Sequence, residues 1–128
     1  MALTHPESNH LTERIIGFAI EIHREYGPGL REIVYDDCLY WDIFDAHLPI
    51  DRQHRIPLKR RSRVIAPAFI ADLIVNDQVI IEVKSVEKVM PVHKAQLLTY
   101  MKLTQIPVGL LLNFNVDRLV DGTTRLAL

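Results

Sequence analysis

The run "ADLIVNDQVIIEVKS", Ala71 to Ser85, sets Asp72, Glu82 and Lys84 inside two otherwise apolar, β-branched segments. The polar triplet Asn76, Asp77 and Gln78 between them predicts a hairpin with a three-residue loop. Val75 then pairs with Val79, and the same count carries Asp72 opposite Glu82. Residues directly opposed in an antiparallel pair share a face with Cβ atoms roughly 4.5–5.5 Å apart, and like charges there repel unless something compensates them. Lys84, two residues past Glu82, points to the same face because side chains alternate along a strand. A plain alternative is a solvated face on which Lys84 neutralises the nearer carboxylate. The neighbours on that face, Ile74, Ile80 and Val86, are apolar, so a helix is expected to cover it. Charges persist under a helix when they are paired or hold a cation, and a divalent cation is the expected compensation. A two-residue loop would slip the register and part the carboxylates.

The rest of the chain reads around this hairpin. Leu11, Ile15, Phe18, Ala19, Ile22 and Tyr26 recur at helical spacing, and "YGPG" supplies Gly27 as a stop. A second helix is expected from about Arg31 to Ala46, with Tyr35, Cys38, Leu39 and Ile43 as its apolar stripe and Glu32 in its first turn. From Pro49 the pattern becomes strands: "IDRQHRIPL", then "KRRSR" as a turn, then "VIAPAFIADLIV" and "QVIIEVKSV". Pro57 and Pro67 favour an edge or a bulge. "MPVHKAQLLTYMKLT" returns to helical spacing with Pro91 in its first turn, and "PVGLLLNFN" reads as a buried strand. The tail "RLVDGTTRLAL" adds a short strand. Strand, helix and strand in succession make a crossover, so an α/β fold with a mixed sheet flanked by helices is expected.

Length and composition bound the rest. The 128 residues, 48% hydrophobic and 24% charged, suit a single domain spanning 1–128, with residues 1–8 expected to be flexible. No apolar run approaches the roughly 20 residues of a membrane span, and a cytoplasmic protein is expected. One cysteine, Cys38, excludes an internal disulfide and a thiolate zinc site. The formal net charge of −1 argues against coating nucleic acid by bulk charge but leaves room for a local patch. Lys59, Arg60, Arg61 and Arg63 form the densest such patch and are the candidate contacts to a phosphate backbone; the alternative is a solvated turn.

Asp72, followed after a spacer by Glu82-Val83-Lys84, resembles the D…(D/E)-x-K signature of the PD-(D/E)XK nuclease superfamily. "GPGLREIVYDDCL", the "ADLIV…VIIEVKSVE" hairpin, "PVHKAQLLTYMKLT" and "PVGLLLNFNV" together resemble the small GxxExxR protein family within it, over nearly the whole chain. The resemblance implies a restriction-endonuclease-like αβββαβ core and metal-dependent phosphodiester hydrolysis. It implies Asp72 and Glu82 as Mg²⁺ ligands, Mn²⁺ being a substitute, with the Val83 carbonyl as a further oxygen and Lys84 steadying charge on the phosphate. Glu32 matches the acidic residue that many members contribute from a helix before the sheet; helix capping is its structural alternative. The motif that names the GxxExxR family ends in Arg, where this chain, counted from Gly29 through Glu32, has Tyr35. Gln96 and Tyr100 lie four apart on one helix face and resemble the Q-x-x-x-Y element of exonuclease-like branches.

His93 and His23 are read first as structural. Trp41 and Phe44 mark a packing or subunit contact, which admits a homodimer. No Gly-rich phosphate loop, H-E-x-x-H or nucleophile elbow is present. The expected partner is nucleic acid, DNA or RNA. A nuclease fold that kept binding or assembly and lost turnover is the alternative.

Overall fold

A computed structural model describes residues 6–128, apart from the side chains of residues 6, 7, 66 and 67. Of the amino-terminal segment expected to be flexible, residues 1–5 lie outside the described residues. Helix α1 runs Pro6–Tyr26 and buries Leu11, Ile15, Ala19 and Ile22 along one stripe. It stops at Gly27, whose φ of 68° places it in the left-handed region and whose N–H still reaches the His23 carbonyl at 2.7 Å. Gly29, at φ 99°, completes the reversal, and α2 follows over Glu32–Asp45. Its buried side chains Tyr35, Leu39 and Ile43 recur every four residues, so α2 presents one apolar stripe to the sheet.

Five strands form one sheet in the order β1-β2-β3-β4-β5. β1 (Ile50–Arg60), β2 (Arg63–Val75) and β3 (Val79–Lys84) make an antiparallel meander. α3 (Pro91–Thr104) then crosses over, so that β4 (Val108–Asn113) returns parallel to β3. A 3-10 turn at Leu119–Gly122 leads into β5 (Thr123–Ala127), antiparallel to β4. The two helices, three-strand meander, crossover helix, strand and short tail strand expected from the sequence are therefore all present.

Alternation along the strands divides the core in two. Leu73, Val75, Ile81, Val83, Leu110 and Leu112 face α1 and α2. Ile74, Ile80 and Leu111 face Leu97, Tyr100 and Met101 of α3. The helix cover expected over Ile74 and Ile80 is α3.

One boundary differs from the sequence reading, and the irregularity expected at Pro57 is present. Lys59, Arg60 and Arg63 belong to paired strands, and the turn is only Arg61-Ser62, both at positive φ (50° and 66°). Two residues at positive φ give the right-handed twist of a tight hairpin, and here no glycine announces it. The β1–β2 register shifts between Ile56 and Leu58, so Pro57, which lacks an N–H for the ladder, sits at the irregularity.

Gly122 permits a close approach. A Cβ there would stand 2.1 Å from the Asn113 carbonyl oxygen, a backbone atom at the end of β4. Gly122→Ala is expected to cost about 1–3 kcal/mol, the range for overpacking. The check is a lower denaturant midpoint at unchanged slope; an unchanged midpoint would show that the 3-10 turn yields without cost.

Candidate active site

The three-residue loop is present: Val75 pairs with Val79 and Ile74 with Ile80, and the Gln78 N–H donates to the Val75 carbonyl at 3.0 Å. Regular pairing ends at Leu73–Ile81. One step further, side chains replace the ladder. The Asp72 N–H donates to Glu82 Oε2 at 3.1 Å, and the Val83 N–H donates to Asp72 Oδ2 at 2.8 Å. Each carboxylate thus satisfies a backbone donor of the opposite strand where the strands part. The count made on the sequence is correct to the residue.

Glu82 is buried, and its carboxyl is held far above the ordinary carboxylate range. Burial is the main cause, followed by the hydrogen bond and charge of the Asp72 carboxylate; the Asp72 N–H and Lys84 pull the other way. Lys84 closes β3, half-buried, and its carbonyl accepts from the Phe114 N–H at 2.9 Å. Tyr100 reaches the pair from α3. Its hydroxyl is pushed up to about 12, first by burial and then by the charges of Glu82 and Asp72, so it remains a neutral donor at working pH.

On the other side, Asp72 lines a cavity of about 300 Å³ with Arg31, Glu32, Ile33, Asp36 and Gln53. Glu32, the first residue of α2, is exposed at its mouth. Asp36, one helical turn deeper on the same face, is buried at 4% exposure and was missed on the sequence. Its carboxyl is raised to about 6 by burial and by Asp72, while Arg52 lowers it. Arg52 bridges Asp36 at 3.0 Å and Asp37 at 2.9 Å and lies over the Tyr40 ring. Between Tyr35 and Cys38 of the apolar stripe, the signal the sequence offers for Asp36 is its four-residue spacing from Glu32.

The departure at Tyr35 has a structural meaning. Its hydroxyl donates to the Gly27 carbonyl at 2.6 Å and accepts from the Leu30 N–H at 3.1 Å, and its ring stacks on Phe114 at 4.4 Å. Ser85 Oγ, just past Lys84, donates to the Leu30 carbonyl at 2.7 Å. The "GPGLRE" segment is thereby pinned from both sides, which fixes where α2 starts and where Glu32 and Asp36 sit.

Other candidates fall outside this cluster. Gln96 is exposed one turn before Tyr100 and makes no hydrogen bond among the described residues. Lys59, Arg60, Arg61 and Arg63 are exposed at the far end of β1 and β2. Both histidines are structural: His93 Nδ1 accepts from the Met90 N–H at the start of α3, and His23 Nε2 meets the Val116 carbonyl at 2.7 Å.

Among the described residues, no three His, Cys, Asp or Glu side chains converge into a cation cage. Two touching carboxylates, one of them buried, are nonetheless the donor set of a magnesium ion, which takes one or two carboxylates and leaves its other positions to water and phosphate. The residues present fit such an ion. No described helix is long and apolar enough to cross a membrane.

A mixed sheet whose central strands part around an acidic pair with a lysine two residues on defines the restriction-endonuclease-like class. A model of the PD-(D/E)XK nuclease superfamily matches residues 9–126, and the chain belongs to that superfamily. Membership points to nuclease-type function, and nucleases of this superfamily generally use divalent metals. No curated protein and no solved structure matches the chain.

Proposed function

We propose that this chain is a nuclease of the GxxExxR group that cuts phosphodiester bonds of DNA or RNA with Mg²⁺, or Mn²⁺ in its place. The observation that carries the reading is the contact between Asp72 and Glu82, with Lys84 on the same strand, where β2 and β3 part. Asp72 and Glu82 hold the ion, the Val83 carbonyl adds an oxygen, and Glu32 approaches across the shared cavity, directly or through water. When bound, the ion supplies positive charge for the phosphate and acidifies a water at neutral pH. Lys84 orients that water and steadies charge developing on the phosphate oxygens. Tyr100 donates its hydroxyl toward the carboxylates from α3. Gln96, exposed on the same helix, meets the nucleic acid, and Lys59, Arg60, Arg61 and Arg63 meet its phosphates further out. The proposed setting is the cytoplasm, and exposed Trp41 and Phe44 are the proposed contact of a homodimer.

Incubation with single- and double-stranded DNA and RNA plus Mg²⁺ or Mn²⁺ tests this. Lys84→Ala and Glu82→Ala are each expected to lower cleavage by about 10²–10³-fold, the loss typical of removing a transition-state charge partner. Equal cleavage by wild type and variants would sink the mechanism. No cleavage by any of them, with salt-sensitive binding retained, would mark a binding or assembly module that has lost turnover.

A further inference from the structure

β2 pairs with β3 only over Leu73–Val75, whereas β1 and β2 pair with each other from Ile50–Val75 out to Arg60–Arg63. Beyond the site the two strands therefore have only each other. Residues 57–68 form a free arm of four β1 residues, the Arg61-Ser62 turn and six β2 residues, about 20 Å long at the usual strand rise. Its exposure pattern is unusual: Val64 is 57% and Ile65 46% exposed, and Ile70, just inward of it on β2, is 43% exposed. A groove of about 700 Å³, lined by Ile56, Pro57, Val64, Ile65 and Phe69 among others, runs along it. Patches of this kind commonly mark interaction sites.

Charge says what covers it. Residues 57–68 include Lys59, Arg60, Arg61 and Arg63 and no Asp or Glu, so with a total of −1 the remainder of the chain carries −5. A second copy packed arm to arm would bring two arms of the same positive charge together. A polyanion would neutralise it.

We infer that the β1–β2 arm is a β-ribbon that lies in a groove of duplex nucleic acid, with Arg60, Arg61 and Arg63 on phosphates and Val64, Ile65 and Ile70 against sugars and base edges. This rests on the nuclease reading above and adds the substrate class. A two-stranded ribbon fits the major groove, about 12 Å wide. Arg63 and Asp72 stand nine residues apart on the extended β2, about 30 Å at the usual strand rise. A duplex rises 3.4 Å per base pair, so tip and carboxylates engage together only on about nine base pairs or more.

Fluorescence-anisotropy titration of the full chain, with Ca²⁺ in place of Mg²⁺, tests the arm using DNA duplexes of about 8 and about 24 base pairs and a single strand of the longer length. On the long duplex, combined Arg60→Ala, Arg61→Ala and Arg63→Ala is expected to weaken binding at least about tenfold and to flatten the log–log salt dependence by about 2.7. Combined Val64→Ser and Ile65→Ser should weaken it several-fold at unchanged salt slope, since no phosphate contact is lost. The short duplex and the single strand should distinguish the variants from wild type less than about twofold.

Equal losses on single strand and duplex would overturn the proposal, as would unchanged affinity for the long duplex. So would a change of oligomeric state by sedimentation that tracks the serine variant, or wild-type DNA binding alongside lost binding to phosphatidylserine vesicles. Cleavage separates the two readings. Wild-type cutting with arm variants at wild-type KM overturns the arm alone; arm-dependent duplex binding without cutting overturns turnover alone.

Discussion

Glu82→Gln is expected to stabilise the cation-free protein at pH 8 while lowering cleavage by about 10²–10³-fold. The folded-state value of Glu82 is raised by burial and by Asp72, so between about pH 4.5 and that raised value the folded protein holds a proton that the unfolded chain has released. The unfolded state then binds fewer protons, and stability falls as pH rises, by at most about 1.4 kcal/mol per unit. Asp36 acts in the same direction but only up to about 6. Glutamine keeps the shape and the acceptor for the Asp72 N–H and has no charge to bury. Thermal unfolding in EDTA should show wild type losing stability from pH 6 to 8.5 and the variant losing much less. Mn²⁺ should reverse the trend in wild type alone, raising its melting temperature more at pH 8 than at pH 5.5, because carboxylate ligands must be deprotonated to bind. A flat wild-type profile above pH 6, or a variant that follows wild type, would refute the buried repulsive pair.

The second large effect belongs to Tyr35, which touches neither carboxylate of the pair. Tyr35→Ala removes a wholly buried ring stacked on Phe114 and is expected to cost about 3–5 kcal/mol. Tyr35→Phe keeps the ring and strips partners from the Gly27 carbonyl and the Leu30 N–H, for about 1–3 kcal/mol. If the hydroxyl sets the start of α2, Tyr35→Phe should also lower cleavage more than Gly122→Ala, a variant of similar stability cost at the opposite end of the chain. Equal cleavage by the two would assign Tyr35 to stability alone.

Much of this was readable from sequence because the informative contacts are local. Asp72 and Glu82 are ten residues apart across a short loop, so counting sufficed to oppose them. Gln96 and Tyr100 are read together from their four-residue spacing and the Q-x-x-x-Y resemblance, yet only Tyr100 is buried against the sheet, and Gln96 one turn away is already in solvent. Asp36 and Arg52 escaped notice because their meeting depends on how α2 lies across β1, a tertiary fact that no period encodes. The basic run was placed as a turn because Arg61-Ser62 lacks the Asn-Gly chemistry by which tight hairpins usually show themselves. Its extension into strands follows from the pairing of Lys59 with Val64 and Arg60 with Arg63.

The segregation of charge along the chain also bears on rates. A body carrying −5 behind an arm carrying four positive charges is an electric dipole, and in the field of a polyanion such a molecule turns before it touches. The body is repelled while the arm is drawn in, so productive encounters arrive arm first. Much of the salt sensitivity then resides in the association rate, and a nearly neutral protein acquires the steering of a strongly basic one.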